Sequence, residues 1–162
     1  MRRNDMQASA QQILIFGLGE EWYGLEIDEV QEVVAAPRLH PVPRAPCCLS
    51  HAINFHGRVV AVLDLPAWLG FEGGKRDPRV IVLSAPSAGL ALAVDQVRRI
   101  VPLKDDAVMP CESEEDARAF IRGVFDHQGR MINLLDADRL LASLRQDANL
   151  RGGTPAHECS DS

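Results

Sequence analysis

No apolar run in this 162-residue chain approaches the ~18–20 residues that a membrane-spanning helix needs, because Arg58, Asp64 and Arg79 interrupt the candidates. The N-terminus, M-R-R-N-D-M-Q-A-S-A-Q-Q, lacks the apolar stretch of a secretory signal. Cationic excess is also missing. With 17 Lys and Arg against 23 Asp and Glu, the net charge is -6 and no global field draws the chain to nucleic acid or anionic lipid. Aromatic residues make up 5%, too few for a base-stacking platform. The four cysteines, Cys47, Cys48, Cys111 and Cys159, contain no C-x-x-C pair. Neighbouring Cys47 and Cys48 are poorly placed to bridge each other, so a reduced chain is expected. The five histidines show neither H-x-H nor H-x-x-x-H spacing, which argues against a metal site. There is no G-x-S-x-G, no glycine loop followed by Lys-Ser/Thr, and no G-x-G-x-x-G after a strand. The expectation is a cytoplasmic, non-enzymatic protein without a cofactor.

What is present is strand pattern, written twice. I13-L-I-F-G-L, the turn G19-E-E and W22-Y-G-L-E-I27 read as a hairpin, with apolar alternation at Tyr23, Leu25 and Ile27. R79-V-I-V-L-S-A-P-S-A-G-L-A-L-A-V94 repeats that plan, with a turn over 85–89. L25-E-I-D-E-V-Q-E-V-V34 lies over L92-A-V-D-Q-V-R-R-I-V101, so that Val30 matches Val97 and Glu32 matches Arg99. A52-I-N-F-H-G-R-V-V-A-V-L-D64 lies over V124-F-D-H-Q-G-R-M-I-N-L-L-D136. Blocks that recur in one order at nearly one spacing imply two copies of a β-rich unit of roughly 60 residues. Units of that size rarely close a flat sheet alone, so small barrels sharing an interface are expected.

The punctuation agrees. Pro37, Pro41, Pro43 and Pro46 deny their segment a helix, and F71-E-G-G-K-R-D-P78 separates halves spanning 12–72 and 78–145. The acidic 112–118 stretch suits one solvated helical turn, and Leu140, Leu141 and Leu144 suit a short amphipathic helix. Residues 1–11 and 146–162 are expected to be loose ends. The X-Gly tips at His56-Gly57 and Gln128-Gly129 fit two-residue hairpins that need positive φ. Leu63 and Leu135 are expected inside the paired cores. Matched Asp64 and Asp136 suggest the shared carboxylate pair of an acid protease, but that plan needs Asp-Thr/Ser-Gly turns. D64-L-P and D136-A-D supply no hydroxyl, and helix capping is the better reading; for Asp28 and Asp95 it is a turn or cap.

From about Gln12 to Leu144 the chain resembles the CheW family, the coupling proteins of bacterial chemosensory arrays. The resemblance is carried by the opening hairpin, V30-Q-E-V33, L39-H-P-V-P43, A52-I-N-F-H-G-R-V-V-A-V-L-D-L65, V94-D-Q-V97 and G123-V-F-D-H-Q-G-R-M-I-N-L-L-D136. It implies a mainly β fold of two SH3-like five-stranded barrels with short helices. It also implies an adaptor, at the inner face of the membrane, with two partners: the regulatory domain of a CheA-type histidine kinase and the cytoplasmic tip of a methyl-accepting chemoreceptor. Matched to the family's motifs, Val30, Glu32 and Val33 are the kinase-side candidates. Asn54, Phe55, His56, Gly57 and Arg58 are the receptor-side or hairpin-tip candidates. The chain departs from the family at the tip, where His56 stands for an arginine and Phe55 for a leucine. His51 replaces a leading glycine that the second copy keeps as Gly123, and Pro66 replaces a frequent arginine. A permanent guanidinium fork has become an imidazole, whose charge depends on pH. The alternative implied by that change is a regulator that binds the kinase domain, not the receptor, and modulates array assembly.

Overall fold

The computed structural model describes residues 10–71, 73–84, 89–110 and 119–150. Strands β1 (Ala10–Leu18) and β2 (Glu21–Glu26) open the chain. They are followed by β3 (Val30–Ala35), β4 (His40–Pro41), β5 (His51–Phe55), β6 (Arg58–Asp64) and the one-turn helix α1 (Leu65–Trp68). The second half holds β7 (Arg79–Leu83), β8 (Leu90–Ala93), β9 (Gln96–Lys104), β10 (Met109–Pro110), β11 (Ile121–His127) and β12 (Arg130–Leu135), then helix α2 (Ala137–Leu150).

The strands form two six-stranded sheets, ordered β3-β7-β8-β6-β5-β4 and β10-β11-β12-β2-β1-β9. The mainly β, twice-built plan read from the sequence is therefore present. Each sheet has six strands rather than five, because the two-residue strands β4 and β10 also pair, with β5 and β11. The sequence halves are not the units in space. Hairpin β1–β2 belongs to the sheet of β9–β12, and hairpin β7–β8 belongs to the sheet of β3–β6. The exchange is made through two parallel pairs, β12 with β2 (Ile132↔Trp22) and β6 with β8 (Ala61↔Leu90). Parallel neighbours need a long crossover: between β2 and β12 it is the chain from β3 to β11, and between β6 and β8 it is α1, the segment that follows and β7.

Burial on both faces explains why I13-L-I-F16 reads as an unbroken apolar run. Ile13 and Ile15 join Val101, Leu103, Phe125, Ile132 and Leu134 in the core of the second sheet. Leu14 and Phe16 face the other way, into a larger core with Tyr23, Leu63, Leu65, Ile81, Phe120 and Leu135 that joins the halves. A third core, with Ile53, Phe55, Val60, Val62, Val80 and Val82, fills the first sheet. Leu63 and Leu135, both fully buried, lie in the shared core.

The aspartates do what capping chemistry predicts. Asp64 Oδ1 accepts the Ala67 N–H at 3.5 Å, and Asp136 Oδ1 accepts those of Asp138 and Arg139 at 3.0 and 3.1 Å. Helix α2 buries Leu140 and Leu144 against the shared core. It runs on to Leu150, so residues 146–150 are helical rather than part of a loose tail. No Gly or Pro interrupts 137–150. Cys47 is disulfide-bonded and Cys48 is not. The reduced-chain expectation fails at Cys47, since pairing follows distances in the fold and not spacing in sequence. Cys111 and Cys159, the 85–88 turn, the 112–118 stretch and both termini, 1–9 and 151–162, lie outside the described residues.

Candidate functional site

The β5–β6 hairpin turns at His56 (φ 51°) and Gly57 (φ 83°). Both residues occupy the left-handed region that a two-residue hairpin requires, and the second copy does the same at Gln128 and Gly129. Asn54 Oδ1 accepts the Gly57 N–H at 3.0 Å, and Asp126 Oδ1 accepts that of Gly129 at the same distance. Asn54 is thus the brace of the turn as well as a candidate contact. Phe55 points inward and is buried in the first sheet's core, its ring 4.3 Å from the His56 imidazole. Arg58 is exposed, and Val59 beside it is 81% exposed, the most exposed large apolar side chain described.

The kinase-side candidates lie on β3, an edge strand. Val30 and Val33 are half-buried against the shared core, and only Glu32 projects to solvent. The register against β7 shifts between Val30 and Glu32, a bulge that re-aims the glutamate. The equivalent strand β9, an edge of the other sheet, has its own register shift against β1. The fold then joins the two candidate groups: His56 Nε2 lies 3.4 Å from Glu32 Oε1, with both side chains largely in water. The family resemblance alone assigns them to two separate surfaces.

Three further arrangements had no signal in the sequence. Arg76, from the segment between the halves, donates through Nε to Asp64 Oδ1 at 2.7 Å and through Nη1 to Asp95 Oδ1 at 3.0 Å. Asp95 Oδ2 in turn accepts the Gly19 N–H at 2.6 Å. One aspartate from each matched pair, Asp64 and Asp95, therefore clasps the halves together, and Asp136 caps α2. Nearby, the buried Asp77 carboxylate accepts from Arg79 and from the Arg79 and Val97 N–H groups. Burial pushes that carboxyl up, but these donors outweigh it and hold it at about 2. A cavity of about 510 Å³ borders this clasp, lined by Leu39, Val62, Pro78 and Val80 as well as the charged groups.

Glu29 is the third arrangement. Its Oε2 accepts the N–H of Ala137, the first residue of α2, at 3.3 Å, while Oε1 is buried without a partner among the described residues. Burial pushes its carboxyl up to about 7; the Ala137 N–H opposes this, and the negative charges of Asp136, Asp138 and Asp28 add to it. Among the described residues no group of His, Cys, Asp or Glu could hold a metal ion, and no helix is long and apolar enough to cross a membrane.

Comparison with known proteins supplies the family context. The model of the CheW-like domain matches residues 12–145. A chemotaxis protein CheW of Rhizobium meliloti (strain 1021) is 29% identical over 141 residues, covering 85% of this chain and 91% of that protein. Protein FrzA of Myxococcus xanthus is 31% identical over 148 residues, covering 87% and 91%. The crystal structure of the scaffolding protein TtCheW from Thermoanaerobacter tengcongensis superposes with a TM-score of 0.69 at 27% identity, covering 78% of this chain and 88% of that one.

Proposed function

The chain belongs to the CheW family, a scaffold family of chemotaxis signalling, and from that premise we propose that it couples a chemoreceptor tip to the regulatory domain of a CheA-type histidine kinase. The observation that carries the reading is the junction of Glu32 with His56, where the edge of β3 meets the β5–β6 tip. A turn braced by Asn54 and anchored by Phe55 presents His56, Arg58 and Val59 on a rigid support, as an interface requires. Glu32 stands next to them on an edge strand whose bulge blunts pairing with stray strands. The clasp of Arg76 with Asp64 and Asp95 holds the halves as one body, so that two partners meet a fixed geometry. No step of bond-making is assigned, and such a protein works at receptor arrays on the inner face of the membrane.

His56 in place of the family's arginine favours one other reading, a regulator that binds the kinase domain alone. Calorimetric titration of the full chain with the kinase regulatory domain, and separately with a receptor-tip fragment, decides between them. Binding to both partners supports the coupling reading. Binding to the kinase domain alone supports the competitor, and binding to neither removes both.

A further inference from the structure

Trp22 closes one end of the second sheet's core. It pairs with Ile132 of β12, and its ring lies across β1 at Gly17, where an added Cβ would stand 3.3 Å from the ring. Asn133 Nδ2 donates to the Trp22 carbonyl at 3.1 Å and fixes the strand beneath. Two guanidiniums lie over the indole. Arg98 Cζ is 4.8 Å and Arg130 Cζ 5.0 Å from its ring. Both arginines are exposed, and among the described residues neither side chain meets a carboxylate. Arg98 Nη1 reaches only Gln96 Oε1, at 3.4 Å.

A guanidinium held against an aromatic ring keeps its edge donors for a planar acceptor, with little freedom left to lose on binding. Here two such forks share one ring, in a chain whose net charge is -6. The matching position in the other half, 67 residues on, is Gly89, which brings no ring. We propose that Trp22, Arg98 and Arg130 form a docking clamp for an acidic segment of a partner protein, gripped through its side-chain carboxylates. Charge complementarity is local. The acidic remainder of the chain repels a long polyanion such as nucleic acid, whereas a short acidic segment meets only the clamp. This surface belongs to the second sheet, whereas Glu32 and the His56 tip belong to the first, and it does not depend on the coupling reading.

The test is calorimetric titration of the full chain with a hexaglutamate peptide at low and at physiological salt. Saturable binding is expected, weakened at least tenfold in the R98Q/R130Q variant and less than twofold in R38Q/R145Q, which loses the same charge at exposed positions elsewhere. The R98K/R130K variant, which keeps the charge and loses the forks, is expected to bind at least threefold more weakly than the parent. Absence of binding, equal losses in the two glutamine variants, or full retention by the lysine variant would overturn the clamp. Tighter binding to a single-stranded oligonucleotide or to phosphatidylserine vesicles, through the same arginines, would overturn the acidic-protein partner.

Discussion

His56 Nε2 and Glu32 Oε1 face each other across 3.4 Å, joining a hairpin tip to an edge strand 24 residues earlier. The imidazole carries charge only when protonated, and both groups are largely exposed. Exposed ion pairs contribute roughly 0.2–1 kcal/mol. E32Q and H56A are therefore expected to move the urea midpoint by less than the equivalent of about 1 kcal/mol. Partner affinity is the sensitive readout: H56R, which restores a permanent planar fork, is expected to tighten receptor-tip binding severalfold. Equal affinity of H56R and the parent for every receptor tip of the organism would detach the tip from receptor recognition.

Glu29 makes stability depend on pH. Its carboxyl titrates near 7 in the folded chain and near 4.5 when exposed, so the folded state holds a proton that the unfolded state releases. Stability from this group is fully present below about pH 4.5 and is lost as pH rises through about 7. E29Q keeps an acceptor for Ala137 without the charge. Chemical denaturation at pH 5 and pH 8 is expected to show a flatter profile for E29Q, with a gain over the parent at pH 8.

Asp77 acts with the opposite sign. Its carboxyl, held at about 2 against a usual 3.8, stabilises the fold above pH 3.8, and that contribution is lost as pH falls through about 2. Replacing it by alanine strands the Val97 and Arg79 N–H groups, an expected cost of roughly 1–3 kcal/mol. Hydrogen exchange should quicken at the Val97 amide, its direct donor.

Gly123 has no room for a side chain: a Cβ would stand 2.7 Å from Val108 Cγ1 and 2.8 Å from the Met109 carbonyl. G123A is expected to be destabilised by roughly 1–3 kcal/mol, measured by thermal or urea unfolding. The first copy carries exposed His51 at the equivalent place, paired with Pro41 as Gly123 is with Pro110.

Leu63 and Leu135 are fully buried where the two halves meet. Truncation of either to alanine should cost roughly 2–5 kcal/mol. Because the sheets exchange hairpins, both variants are expected to unfold in one transition, seen alike by circular dichroism and by tryptophan fluorescence from Trp22 and Trp68. Two separated transitions would contradict a shared core.

The amino-acid sequence by itself determined the features that act over a few residues. Alternation placed the hairpins, Asp64 and Asp136 stopped strands and capped helices, and His56-Gly57 and Gln128-Gly129 set two-residue turns. The repeated order of these signals made the duplication legible, because each copy needs the same local chemistry. Tertiary structure alone decided which hairpin joins which sheet, since β1–β2 and β7–β8 carry similar patterns and pair equally well in outline with either half. It also decided the contacts that join distant residues: Glu29 with Ala137, 108 positions apart, and Asn133 with Trp22, 111 apart. The Arg76 clasp, the Glu32–His56 junction and the Arg98–Trp22–Arg130 stack belong with them. Spacing along a chain constrains neighbours on a strand or a turn. Which side chains meet across a core or a surface is set by packing, and packing is a property of the folded whole.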